Sequence, residues 1–220
     1  MDETAQDTRS KILIAAATMI GEDPTTRLSV RAVAARAGVS TGSLRHFFPT
    51  PRELIDTVVE GLQTLDLPDD PMADLSREPA ERLLGSLQLL LTSIGSGASA
   101  RQNWTKLHDA YVAVPVGDDA AHTFLAMERL AVDRVERWLA VLDRDDLLRV
   151  GEPEEHARFL LTVVNGLALE RALPSARARS PYEATSLRLA VAAVLKDAST
   201  SDAKLPQGLH GSPSTSRPPG

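Results

Sequence analysis

The chain has no cysteine among its 220 residues. That excludes disulfides, thiolate nucleophiles and cysteine-held zinc, and with them the disulfide-stapled secreted scaffolds. A reducing compartment suits such a chain, and a cytoplasmic location is the expectation. Long apolar runs are also missing. The longest, Phe159–Leu169, is interrupted by Thr162, Asn165 and Gly166. It is too short for a bilayer, which needs about 20 apolar residues, so no membrane partner is expected. The opening residues MDETAQDT are acidic and polar, the opposite of a secretory signal. Catalytic signatures are absent as well: there is no G-x-S-x-G, no phosphate-cradling glycine loop and no H-E-x-x-H. Asp118 and His122 stand four apart, and Glu154, Glu155 and His156 are consecutive, but neither group repeats at metal-ligand spacing. An enzyme, a cofactor and a metal are therefore not expected.

Negative charge is scarce in one place only. Residues 8–52 hold seven cations (Arg9, Lys11, Arg27, Arg31, Arg36, Arg45 and Arg52) against Glu22 and Asp23, while the whole chain carries −6. A basic module on an acidic body can hold phosphates at one end and stay off them at the other.

Within that module, the stretch Ser29–Ile55 organises the rest. Val30, Val33, Ala34 and Ala37 recur at helical spacing. Ser29 precedes them as a cap, and Gly38 follows where a helix ends in the left-handed conformation. Ser40 can cap a second short helix, Thr41 to about Phe48, with Leu44 and Phe48 as its anchors. Thr41, Ser43, Arg45 and His46 are expected to face outward. Two helices joined by a short glycine turn describe a helix-turn-helix, and an outer face of hydroxyls and cations suits a major groove. Thr50, Pro51 and Glu53 then form the start of a fourth helix, running to about Gln63. A first helix over Thr8–Gly21 carries Ile12, Leu13, Ala16, Met19 and Ile20 on one stripe. Its Arg9 and Lys11 could reach phosphate or be plain surface cations.

These residues resemble the DNA-binding domain of TetR/AcrR-type bacterial transcriptional regulators. The resemblance runs from about Thr8 to Ile55 and rests on Arg31–Ala34, Ala37-Gly38-Val39-Ser40 and Leu44–Pro49. Arg45 stands where the family commonly has tyrosine, and Pro51-Arg52 where it commonly has lysine. Carried over by position, the resemblance implies DNA contacts from Arg31, Ser40, Thr41, Ser43, Arg45, His46, Phe47, Thr50 and Arg52. It also implies an all-α fold of about nine helices. Residues 1–60 would form the DNA-binding domain and 61–198 an effector-binding and dimerisation domain. Residues 199–220, rich in Ser, Pro and Gly, are expected to be disordered.

Helical spacing continues through the body. Leu83, Leu84, Leu87, Leu90, Leu91 and Ile94 mark a helix after Pro79, ended by Gly95–Gly97. A sixth helix is expected over Ala98–Val114, a seventh over Asp118–Asp143, an eighth over Pro153–Leu173 and a ninth over Tyr182–Ala198. The eighth is apolar almost all round, which demands burial on two sides. The second cover is either a partner subunit or the monomer's own core. The resemblance implies a homodimer through 153–173 and 182–198. It also implies a small-molecule effector among helices four to eight, where Trp104, His108, Tyr111, His122, Phe124, Met127, Trp138 and Asn165 are the candidates. The alternative is that those rings pack the core. The function expected is a repressor that binds a palindromic operator in double-stranded DNA as a dimer and is released by its effector. A helical interaction protein or a small all-α enzyme are the alternatives.

Overall fold

A computed structural model describes residues 3–22, 28–64, 69–174 and 176–196. Among them, nine α-helices and one short 3-10 turn make up the regular structure. Pairing of β type is confined to an isolated antiparallel bridge, Leu148 with Leu195. The fold is all-α, as the periodicities require.

Four helices share the first core: α1 (Glu3–Glu22), α2 (Val30–Ala37), α3 (Thr41–Phe47) and α4 (Pro51–Gln63). Ile12, Ala16 and Ile20 from α1 meet Val33 and Ala34 from α2, Leu44 and Phe48 from the α3 region, and Leu54, Ile55, Val58 and Val59 from α4. Helix α1 begins five residues before the expected Thr8. The Asp7–Lys11 ion pair, 2.6 Å at i,i+4, is the side-chain pairing that a helix brings together there.

The second core draws on α5 (Pro79–Ser93), α7 (Asp118–Asp143), α8 (Pro153–Ala172) and α9 (Ala176–Val194). Helix α6 (Ala98–Tyr111) lies against α8 and buries only Ala100 fully. It stops three residues short of the expected Val114. Pro115 follows, and the residue before a proline is pushed off the helical region.

Helix α7 joins the two cores. Its 26 residues span about 39 Å at 1.5 Å per residue. Ala126, Met127 and Leu130 pack on the first core, and Val132, Val135, Trp138, Leu139 and Leu142 lie in the second. The sequence pattern casts α4 as the link. Instead, the buried residues of α4 all belong to the first core, and α4 reaches the body through its packing on α7.

Polar staples fix the body. The Asp70 carboxylate accepts from Met72 N–H (3.0 Å), Ser86 Oγ (2.9 Å) and the Trp138 indole Nε1 (2.7 Å). Buried Arg82 donates Nε and Nη2 to the Met72 carbonyl. Nearby, hydrogen bonds from the Ser76 hydroxyl and N–H hold the Asp74 carboxyl below its ordinary pKa. Arg171 binds Glu183 through two 2.7 Å contacts and also reaches the Leu91 carbonyl, tying α5, α8 and α9 together.

Helix α9 starts at Ala176, so most of the stretch expected as a loop over Pro174–Pro181 is helical, with Pro181 inside the helix. The helix ends at Val194 rather than Ala198. There the chain turns onto the α7–α8 connection, where Arg149 N–H reaches the Val194 carbonyl (2.9 Å) and Lys196 N–H the Leu147 carbonyl (2.8 Å). The tail expected to be disordered lies outside the described residues. Among the described residues, no single helix is long and apolar enough to cross a membrane.

Candidate nucleic-acid interface

The turn and its caps position the candidate contact surface. Ser29 Oγ accepts from Ala32 N–H at 3.2 Å, Ser40 Oγ from Ser43 N–H at 3.0 Å and Thr50 Oγ1 from Glu53 N–H at 3.2 Å. Each cap occupies a backbone donor that a helix start leaves free. Gly38 sits at φ 69°, and Val39 N–H returns to the Ala34 carbonyl. These interactions aim α3, whose seven residues could not hold a helix alone. Leu44 and Phe48 supply the anchorage, both buried in the first core.

Their burial leaves Thr41, Gly42, Arg45 and His46 exposed on the outer face. Ser43 and Phe47, expected to contact DNA, are half-buried. The Phe47 ring meets the His46 imidazole edge-on at 5.2 Å, so Phe47 supports His46 from behind. Ser40 and Thr50 are exposed and already engaged as caps.

Arg27 lies outside the described residues, and the other six cations divide into three groups. Lys11 pairs with Asp7, Arg36 with Glu22 and Arg52 with Asp119. Arg31 and Arg45 are exposed and have no ion-pair partner among the described residues. Arg9 stacks over the Phe48 ring at 5.5 Å from its centroid. That contact joins the first helix to the end of α3, and nothing in the local sequence pattern announces it.

The candidate effector residues are spread over several environments. Tyr111 and Phe124 form a tilted ring pair at 5.0 Å. His122 Nε2 lies 2.8 Å from Asp56 Oδ1 on α4. His108 is exposed beside Asp109, and Trp104 is half-buried on α6. Met127 packs on the first core, while Trp138 is buried in the second and bonded to Asp70. Asn165 is exposed on α8. Two open concavities lie elsewhere. One of about 410 Å³ is lined by Phe159, Val163, Gly166, Leu167, Glu170, Ser186, Leu189 and Ala190. The other, of about 390 Å³, lies along α6 from Ala98 to Asp109.

A capped helix-turn-helix carrying exposed cations, mounted on a larger helical body, defines the class: a DNA-binding domain joined to a helical second unit. Residues 12–58 match the family model described as bacterial regulatory proteins, tetR family. That segment of the chain is similar to the DNA-binding domain of bacterial tetR-family regulatory proteins. Across the whole chain, the fold is similar to that of TetR-family transcriptional regulators of known structure. One from Agrobacterium tumefaciens is 17% identical, covering 87% of this chain and 100% of its own, at a TM-score of 0.50. A putative one from Vibrio parahaemolyticus is 18% identical, covering 86% and 100%, also at 0.50. A putative one from Mesorhizobium loti is 16% identical, covering 89% and 100%, again at 0.50. No curated protein matches the chain.

Proposed function

We propose that the chain is a ligand-responsive repressor that binds a palindromic operator as a homodimer. The outer face of α3 carries this reading: Thr41, Gly42, Arg45 and His46 stand exposed on a short helix that Leu44 and Phe48 hold rigidly in the core. Arg45 and His46 can donate to base edges or phosphates, and exposed Arg31 adds a cation on α2. Ser40 and Thr50 serve by fixing the helix starts. Ser43 and Phe47 shape the surface behind the contacts.

One seven-residue helix reads too few base pairs for useful selectivity, and a two-fold dimer doubles the site. The dimer surface is placed on α8 and α9. Phe159, Leu169, Tyr182 and Leu189 are exposed there in the single chain, and Phe159 and Leu189 line the larger concavity. An apolar face of this kind is what an isologous helix pairing covers. The division between units falls in α4 near Gly61. The effector belongs beside the Tyr111–Phe124 pair with His122 and Met127, on the part of α7 that meets the first core. Trp104 and His108 lie on the adjoining α6, whereas Trp138 and Asn165 lie farther off and act as packing and surface residues. The protein acts by differential binding, not turnover: an effector releases DNA only as far as it prefers the conformation that fits the operator poorly.

Selection of bound sequences from random duplex DNA tests this reading, with the mass of the complex measured by sedimentation. A palindrome bound by an even number of chains is expected. A monomer that enriches no sequence at low salt overturns the reading.

A further inference from the structure

Arg52 is the second residue of α4. Its Nε lies 3.4 Å from Oδ1 of Asp119, in the first turn of α7. One turn further along α4, Asp56 Oδ1 lies 2.8 Å from His122 Nε2. Arg52 and Asp56 are four apart on one helix, and Asp119 and His122 three apart on the other, so the two contacts form adjacent rungs between facing stripes. The carboxylate changes sides from rung to rung. In the first, the DNA-binding domain supplies the cation and α7 the carboxylate. In the second, α4 supplies the carboxylate and α7 the imidazole.

The consequence concerns Arg52 alone. A guanidinium offers a planar fork of donors that fits a carboxylate or two oxygens of a phosphate. Both partners of the first rung are exposed, 50% for Arg52 and 69% for Asp119, so the pair is weak and exchangeable. A phosphate drawn to the α4 amino end competes with Asp119 for the Arg52 charge, and the carboxylate then lies near the DNA backbone.

We infer that Asp119 is an affinity-setting residue of the DNA site, although it lies in the body. It competes with operator phosphate for Arg52, and the His122–Asp56 rung keeps it within reach by pinning α7 to α4. This rests on the proposed function, with Arg52 as one of the DNA contacts that the resemblance carries over by position. Because linkage is reciprocal, whatever draws the start of α7 toward α4 weakens DNA binding, and DNA loosens that contact by the same factor.

The test is a double-mutant cycle on a duplex selected by the wild-type protein, with affinity measured across a salt series. Asp119→Asn is expected to tighten binding about two- to five-fold, the scale of one exposed ion pair. In an Arg52→Ala background the same substitution is expected to change affinity hardly at all. Asp118→Asn is the control for charge. It removes the same charge one residue away, from a carboxylate with no ion pair among the described residues, and is expected to give less than half the gain. Affinity unchanged or weakened by Asp119→Asn overturns the inference. So does an undiminished gain without Arg52, or an equal gain from Asp118→Asn. A wild-type chain that binds no duplex fails earlier, and defeats the proposed function instead.

Discussion

The guanidinium of Arg9 lies over the ring of Phe48, its central carbon 5.5 Å from the ring centroid. Phe48 is itself buried at the end of α3, so the stacking fixes a cation from α1 beside α3 while leaving its charge available. Arg9→Ala is expected to cost about 0.5–1 kcal/mol of stability, the range for an exposed cation–π contact. If Arg9 also meets a phosphate, the slope of log K against log salt falls by about 0.9 per subunit. Arg9→Lys separates the effects, since it keeps the charge and loses the planar stacking. An unchanged salt slope in Arg9→Ala removes Arg9 from the interface.

The turn offers a conformational test. Gly38 has φ 69°, and a methyl group built on it meets nothing within 4 Å. The penalty of Gly38→Ala is therefore backbone strain alone, about 1–2 kcal/mol. Ser40→Ala removes the cap on Ser43 N–H and costs about 1 kcal/mol. Urea unfolding should show lower midpoints for both with unchanged slopes. A neutral Gly38→Ala contradicts the left-handed turn.

In the body, Asp70→Asn should be costly. One carboxylate oxygen accepts from Met72 N–H and Ser86 Oγ, the other from the Trp138 indole. An amide can place its oxygen on only one side, leaving two donors face to face on the other. The expected loss is about 1–3 kcal/mol. In a Trp104→Phe background the remaining fluorescence reports Trp138 alone and should shift on substitution. Native emission and stability in the variant speak against the Asp70 staple.

Leu189→Glu tests the proposed subunit contact. Leu189 is 66% exposed in the single chain, so the change costs an isolated subunit little. It is expected to convert a dimer to monomers in sedimentation and to abolish tight operator binding. A variant that stays dimeric places the contact elsewhere.

What was legible in the sequence follows the range of the forces involved. The caps at Ser29, Ser40 and Thr50, the glycine turn and the anchors Leu44 and Phe48 each depend on partners within a few residues or on a side chain's own periodicity, and the structure shows them as expected. The helix ends were less legible. Helix α1 extends back to Glu3, α6 stops at Tyr111, and α9 begins at Ala176 with Pro181 inside and stops where its last carbonyl is taken by Arg149. Aromatic residues read alike whether they pack or bind. Trp138 and Tyr111 carry similar signals in sequence yet lie in different surroundings.

The chain by itself determined that it is all-helical, that residues 29–55 form a capped helix-turn-helix, and that the cations gather there, because hydrogen-bond geometry and side-chain period act over one or two turns. Only tertiary structure decided which charges stay free. Arg52 meets Asp119 across 67 positions and Asp70 meets Trp138 across 68. Whether a cation can reach a phosphate depends on what the folded neighbours place beside it, and no local rule carries that information.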